Sequence, residues 1–111
     1  MKKRKQFAGC RIVYRVYSMD LFEGWGDCDR YSEKRSGERY GSILHNRLRR
    51  ALPGADVEVD VRHHVGGAGS GASVDCQDYR LENDMKEIAR DAAGRLYESH
   101  RSWVRLARGD A

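Results

Sequence analysis

The chain has 111 residues, enough for one hydrophobic core and too few for two. With 40% apolar residues, 34% charged ones and a single proline, it is too apolar for intrinsic disorder and holds no run of the roughly 18 apolar residues that a membrane span needs. The net charge is +4, yet Lys2, Lys3, Arg4 and Lys5 account for all of it, so the pattern is a cationic arm on a neutral body rather than a basic surface.

A flexible basic arm is expected over 1–8, followed by a single domain over 9–108. The stretch after the arm is interrupted by Arg11 and Arg15, where a secretory signal would need an unbroken apolar segment. Cys10, Cys28 and Cys76 are odd in number and lack CxxC spacing, which indicates neither a disulfide framework nor a zinc knuckle. A cytoplasmic location is the resulting expectation.

In chain order, residues 10–17 alternate between an apolar side (Cys10, Ile12, Tyr14, Val16) and a mixed one (Arg11, Val13, Arg15, Tyr17), the period of a half-buried strand. Residues 18–36 lose that pattern and read as a long inserted loop, a hairpin or a functional connection. Within it Phe22, Trp25 and Tyr31 are interleaved with Asp20, Glu23, Asp27 and Asp29. Tyr40, Ile43, Leu44, Leu48, Ala51 and Leu52 then recur at helical spacing up to the Pro53-Gly54 stop. The outward side of this helix is basic, at Arg39, Arg47, Arg49 and Arg50.

Residues 57–65 alternate again, with Val57, Val59, Val61, His63 and Val65 on one side and Glu58, Asp60, Arg62 and His64 on the other. A glycine-rich turn (GGAGSG) and a second alternation over 72–79 predict an antiparallel hairpin. A last helical stripe comprises Leu81, Met85, Ile88, Ala89, Ala92, Leu96 and Trp103, with Asn83 as its predicted N-cap. Gly94 in its middle predicts a close packing contact or a bend. If that helix extends far enough, Arg101, Arg105 and Arg108 share one side. The order β-loop-α-β-β-α predicts an α+β fold: a three-stranded sheet with two helices on one face, because each strand has a single apolar side. The opposite face would be open and charged.

The residues point away from catalysis. The glycine loop is followed by a strand, not by the helix N-terminus that phosphate cradling requires. Adjacent histidines on a strand face opposite ways, so His63 and His64 cannot share a metal. Cys10 or Cys76 would need His63 as a base, but both lie on predicted apolar sides, where thiols pack inertly. No catalytic residue, cofactor site or metal site is expected.

Two binding readings remain. Phe22, Glu23, Trp25, Asp27, Asp29 and Tyr31 combine the aromatic anchors and charges used at protein interfaces, although Phe22 and Trp25 could equally cap an edge of the core. Alternatively, Lys2, Lys3, Arg4, Lys5, Arg47, Arg49 and Arg50 would contact phosphates, giving affinity without sequence readout.

The helix-stop-strand run RLRRALPGADVEVDVR (47–62), the small-residue hairpin tip and the tryptophan-closed SHRSW (99–103) resemble the DinI-like family of βαββα proteins. That resemblance implies a non-enzymatic regulator acting on a RecA-like filament. Over 81–108 five acidic residues stand beside six basic ones, where the family carries an acidic ridge. By type rather than by motif, the chain is also similar to small phage or mobile-element inhibitors such as anti-CRISPR proteins. The expected partner is thus a protein or nucleoprotein complex handling nucleic acid, with nucleic acid itself as the alternative and no membrane.

Overall fold

Alternating side chains build the first strand, β1 (Arg11–Tyr17), whose Ile12 and Val16 are fully enclosed. The computed structural model describes residues 6–22, 31–63 and 71–105. A 3-10 helix (Ser18–Phe22) continues from β1, and helix α1 spans Glu33–Ala51. Strands β2 (Asp56–Arg62) and β3 (Gly71–Asp75) follow, then helix α2 (Tyr79–Glu98) and a single turn, α3 (His100–Trp103). The architecture is the expected α+β one, with a mixed sheet and two main helices packed against it.

The strand order differs from expectation. β2 and β3 do not form a hairpin; β1 lies between them in the order β2-β1-β3. It pairs in parallel with β2, from Arg11↔Asp56 to Tyr17↔Arg62, and antiparallel with β3, from Arg11↔Asp75 to Arg15↔Gly71. A parallel pair needs a crossover, and α1 supplies it. Burial explains the choice. β1 places Ile12, Tyr14 and Val16 in the core, whereas Val57, Val59, Val61, Ala72 and Val74 on the flanking strands are only partly covered, so the most apolar strand takes the centre.

Helix α1 begins seven residues before the apolar stripe that announced it. Ser32 caps it, its Oγ accepting from the Arg35 N–H at 3.2 Å. The buried face of these first turns is made of Ser36, Gly37 and Gly41, small residues that hydrophobic periodicity does not register. Their smallness is required. A Cβ at Gly41 would run into Val61 Cγ2, and one at Gly37 would stand 2.7 Å from Ser18 Cβ. The helix therefore lies closer to β2 than any side chain would permit.

Helix α2 also starts early, at Tyr79, because Asp78 rather than Asn83 is the N-cap, accepting from the Arg80 N–H at 2.9 Å. Tyr79 thus belongs to the helix and not to β3, and is 70% exposed. The helix stops at Glu98, and Trp103 folds back to donate from Nε1 to the carbonyls of Leu96 (3.0 Å) and Tyr97 (3.3 Å), satisfying acceptors that a helix end leaves open. This break corrects the notion of one basic side formed by Arg101, Arg105 and Arg108. Arg105 follows α3, and Arg108 lies outside the described residues. Arg105 is clasped by α1 instead: its N–H donates to Ser36 Oγ (2.8 Å) and its carbonyl accepts from the Ser32 N–H (2.8 Å).

Phe7, expected in the arm, is buried, and its N–H donates to the Pro53 carbonyl at 2.9 Å. Cys10 and Cys76 are a second departure. One step beyond the Arg11↔Asp75 pair, the register sets them opposite each other with Cα atoms 4.5 Å apart, and they form a disulfide. Sequence spacing could not reveal this, since the pair is 66 residues apart and exists only because β3 sits beside β1. Cys28 lies outside the described residues. Among the described residues no helix is long and apolar enough to cross a membrane.

Two stability predictions follow from these contacts. A Cβ at Gly94 would meet nothing within 4 Å, so the glycine there serves no close packing. Gly94→Ala should raise the unfolding free energy by about 0.5–1 kcal/mol, whereas Gly41→Ala should lower it by about 1–3 kcal/mol through overpacking; urea denaturation of both variants checks the opposite signs. Reducing the Cys10–Cys76 bond opens a long loop and should cost about 2–4 kcal/mol. Denaturation of the wild type and of Cys76→Ser, each with and without reductant, measures this, and only the wild type should respond.

Candidate interaction surfaces

The sheet face turned away from the helices is open, as its alternation implies. It carries Arg11, Arg15 and Tyr17 on β1 and Asp56, Glu58, Asp60 and Arg62 on β2. The parallel register sets the two β1 arginines beside the β2 carboxylates. Arg11 reaches Glu58 at 2.8 Å and Asp56 at 3.7 Å, while Arg15 (3.2 Å) and Arg62 (2.9 Å) converge on Asp60. The hydrogen bond from Arg62 is the largest influence on the Asp60 carboxyl; burial opposes it, and the hydrogen bond from Arg15 adds to it, so the carboxyl is held below the ordinary carboxylate range. Each pair is solvent-screened and individually worth little. Collectively they spend the charge of this face internally, so its arginines are already engaged.

At the other end of β1, Phe22 is not a displayed anchor. It is 6% exposed and stacks on Tyr31 with ring centroids 5.6 Å apart, and its ring also meets Trp103, tilted, at 5.8 Å. Tyr31 is half-buried against the same core. The two residues that flank positions 23–30 are therefore held against each other. Glu23, Trp25, Asp27 and Asp29 lie outside the described residues, as do His64 and the Lys2, Lys3, Arg4 and Lys5 arm.

A polar knot joins the ends of three elements. The buried Ser18 hydroxyl donates to Glu33 Oε2 at 2.6 Å and lies 3.2 Å from the Arg62 carbonyl. With that proton directed at Glu33, the oxygen accepts from His63 Nδ1–H at 3.0 Å, which assigns the ring tautomer through the network. His63 Nε2 stands 3.9 Å from Glu38 Oε2. Serine, histidine and carboxylate thus meet, but the serine oxygen is sealed from solvent and its proton is held by a carboxylate. The arrangement ties the end of β2 and the exit of β1 to the start of α1. Nothing in the sequence marks it, because Ser18 and His63 are 45 positions apart.

Helix α1 is the basic element. Arg39, Arg49 and Arg50 are exposed and Arg47 half-exposed, and none of the four has an ion-pair partner among the described residues. Arg49 and Arg50 also occupy the last turn, where cations complement the helix dipole. No group of three or more metal-ligating side chains occurs among the described residues. No protein-family model, curated protein or solved structure matches the chain.

The Asp60 linkage has a sign that can be measured. A carboxyl with a depressed folded-state pKa stabilises the fold above its unfolded value and loses that contribution as pH falls through the folded value. Asp60→Asn should therefore lower stability at pH 7, by less than about 1 kcal/mol for a pair this exposed. The difference from wild type should shrink as pH falls below the ordinary carboxylate range, as read by urea denaturation at pH 7 and at successively lower pH.

Proposed function

We propose that this chain is a non-enzymatic binding module that engages a protein or nucleoprotein assembly, with residues 23–30 as its principal contact. Trp25 is the apolar anchor in this reading, and Glu23, Asp27 and Asp29 compete for basic groups on the partner. The observation that supports it is the Phe22–Tyr31 stack on Trp103. The core takes up the aromatic residues on both flanks and fixes the base from which the intervening stretch, with its tryptophan and three carboxylates, emanates. Rigid support of this kind reduces the ordering cost of binding. The resemblance to DinI-like proteins makes a RecA-like filament the first partner class to test, and the type-level likeness to mobile-element inhibitors adds a host-defence effector complex.

One observation favours a second reading, direct binding to nucleic acid. The sheet arginines are neutralised by carboxylates, whereas Arg39, Arg47, Arg49 and Arg50 on α1 keep their charge available. Together with the Lys2, Lys3, Arg4 and Lys5 arm they would read phosphates and not bases.

The readings separate in one experiment. Affinity capture with the tagged full chain, with and without nuclease, should retain a protein partner after nuclease treatment. Trp25→Ala should then weaken the purified interaction by about 2 kcal/mol or more while leaving the circular dichroism spectrum and the unfolding midpoint unchanged. Capture abolished by nuclease, together with an affinity that falls steeply with salt and flattens on removal of the four-residue basic arm, establishes the nucleic-acid reading in its place.

A further inference from the structure

Among the described residues, the buried hydroxyls of Tyr40, Ser18 and Ser36 and the Trp103 indole find partners, and the phenol of Tyr14 does not. The Tyr40 hydroxyl donates to the Ala93 carbonyl at 2.9 Å, Ser18 and Ser36 are held as described above, and the Trp103 indole N–H is shared between two carbonyls. Tyr14 is 8% exposed, yet its hydroxyl makes no hydrogen bond among the described residues. A buried phenol without a partner is costly and calls for an explanation.

Tyr14 lines a cavity of about 300 Å³ together with Gly71, Ala72, Lys86 and Arg90. The space arises from small residues. Ala72 is the register partner of Tyr14 on β3, and with Gly71 beside it no large side chain of the described residues fills the gap between the start of β3 and α2. Lys86 and Arg90 are one turn apart on α2, so both project over this gap. Lys86 is steadied by Glu82 at 3.3 Å, one turn earlier. Arg90 has no carboxylate partner among the described residues, although Asp91, the residue next to it, pairs with Arg95 at 3.1 Å. Among the described residues no carboxylate lines the cavity. Arg90 also borders a wider depression along α2, where Glu87, Asp91 and Glu98 supply negative charge; that surface is mixed in sign and offers no comparable preference.

We infer that the cavity between α2 and the start of β3 is an oxyanion site for a phosphoryl group, bound by Lys86, Arg90 and the hydroxyl of Tyr14. The chemistry of the lining selects this ligand. Two cationic side chains of α2 and one phenol of β1 line the same space, a donor set that suits an oxyanion. The volume sits at the small end of ligand sites and holds inorganic phosphate or a small phosphate monoester. Burial raises the Tyr14 pKa while the Arg90 charge opposes it, so the phenol remains protonated and able to donate at neutral pH. The site uses none of residues 23–30, and its existence does not depend on the binding reading above.

Inorganic phosphate titrated into the ¹⁵N-labelled full chain, at ionic strength held constant with chloride, tests the assignment. Saturable shifts of the Ala72, Lys86 and Arg90 signals are expected, with a Kd in the millimolar range. Arg90→Gln should weaken binding by about tenfold or more and Tyr14→Phe by about threefold to tenfold, as expected for loss of one hydrogen bond to a charged ligand. Arg95→Gln, on the neighbouring turn and outside the cavity, should leave affinity unchanged. Tyr14→Phe carries a second readout: without phosphate it should be as stable as wild type or more so, because the deleted hydroxyl has no partner in the protein. Phenyl phosphate binding about tenfold tighter than inorganic phosphate would identify an ester as the ligand, and equal affinities would identify the free ion. The inference is overturned by non-saturating shifts up to about 50 mM phosphate, or by equal loss of affinity in Arg90→Gln and Arg95→Gln.

Discussion

Strand β1 is hydrogen-bonded along both edges, to β2 in parallel and to β3 antiparallel, and this placement decides which distant residues meet. The parallel register sets Arg11 and Arg15 against the carboxylates of β2. The antiparallel register sets Cys10 against Cys76 and Tyr14 against Ala72. Because β1 is central, its inner side chains face both helices, and the core is organised around Ile12, Tyr14 and Val16. The parallel pairing in turn forces the chain through α1 before β2 can form, which explains why the glycine-faced start of that helix must lie so close to Val61.

Charge is distributed by the same geometry. A body with balanced acidic and basic residues need not be neutral everywhere. Here the arginines of the sheet face are engaged by its carboxylates, while the α1 arginines and Arg90 have no ion-pair partner among the described residues. Functional readings accordingly divide by element. In the readings proposed above, α1 is the candidate surface for polyanions, the cavity beside α2 the candidate pocket for a small oxyanion, and the contact of Phe22 with Tyr31 and Trp103 the support for the tryptophan-bearing stretch. These surfaces are carried by different elements, so each can be altered without dismantling the others.

Several features were legible in the sequence and several were not, for identifiable reasons. The alternation over 10–17 and 57–65 and the stripes in both helices record how each element is buried, and burial of one side is a local pattern. The early starts of α1 and α2 escaped because serine, glycine and an aspartate cap mark those turns without hydrophobic residues. Phe22 could be read as an anchor or as core, since one aromatic residue in a connector says nothing about what it touches. The Ser18, His63 and Glu33 knot and the Tyr14, Lys86 and Arg90 cavity each draw on separate segments whose spacing follows no motif.

The sequence by itself determined the fold class, the sidedness of the three strands and of the apolar stripes in the two main helices, and the confinement of the excess charge to the N-terminal arm, because each follows from residue type and short-range period. Tertiary structure alone decided the order of the strands, the pairing of the cysteines, the self-neutralisation of the sheet face and the meeting of a partnerless phenol with two cations. Those outcomes depend on which strand takes the centre. That is settled by competition for burial among all three strands and both helices, a comparison that no local segment contains.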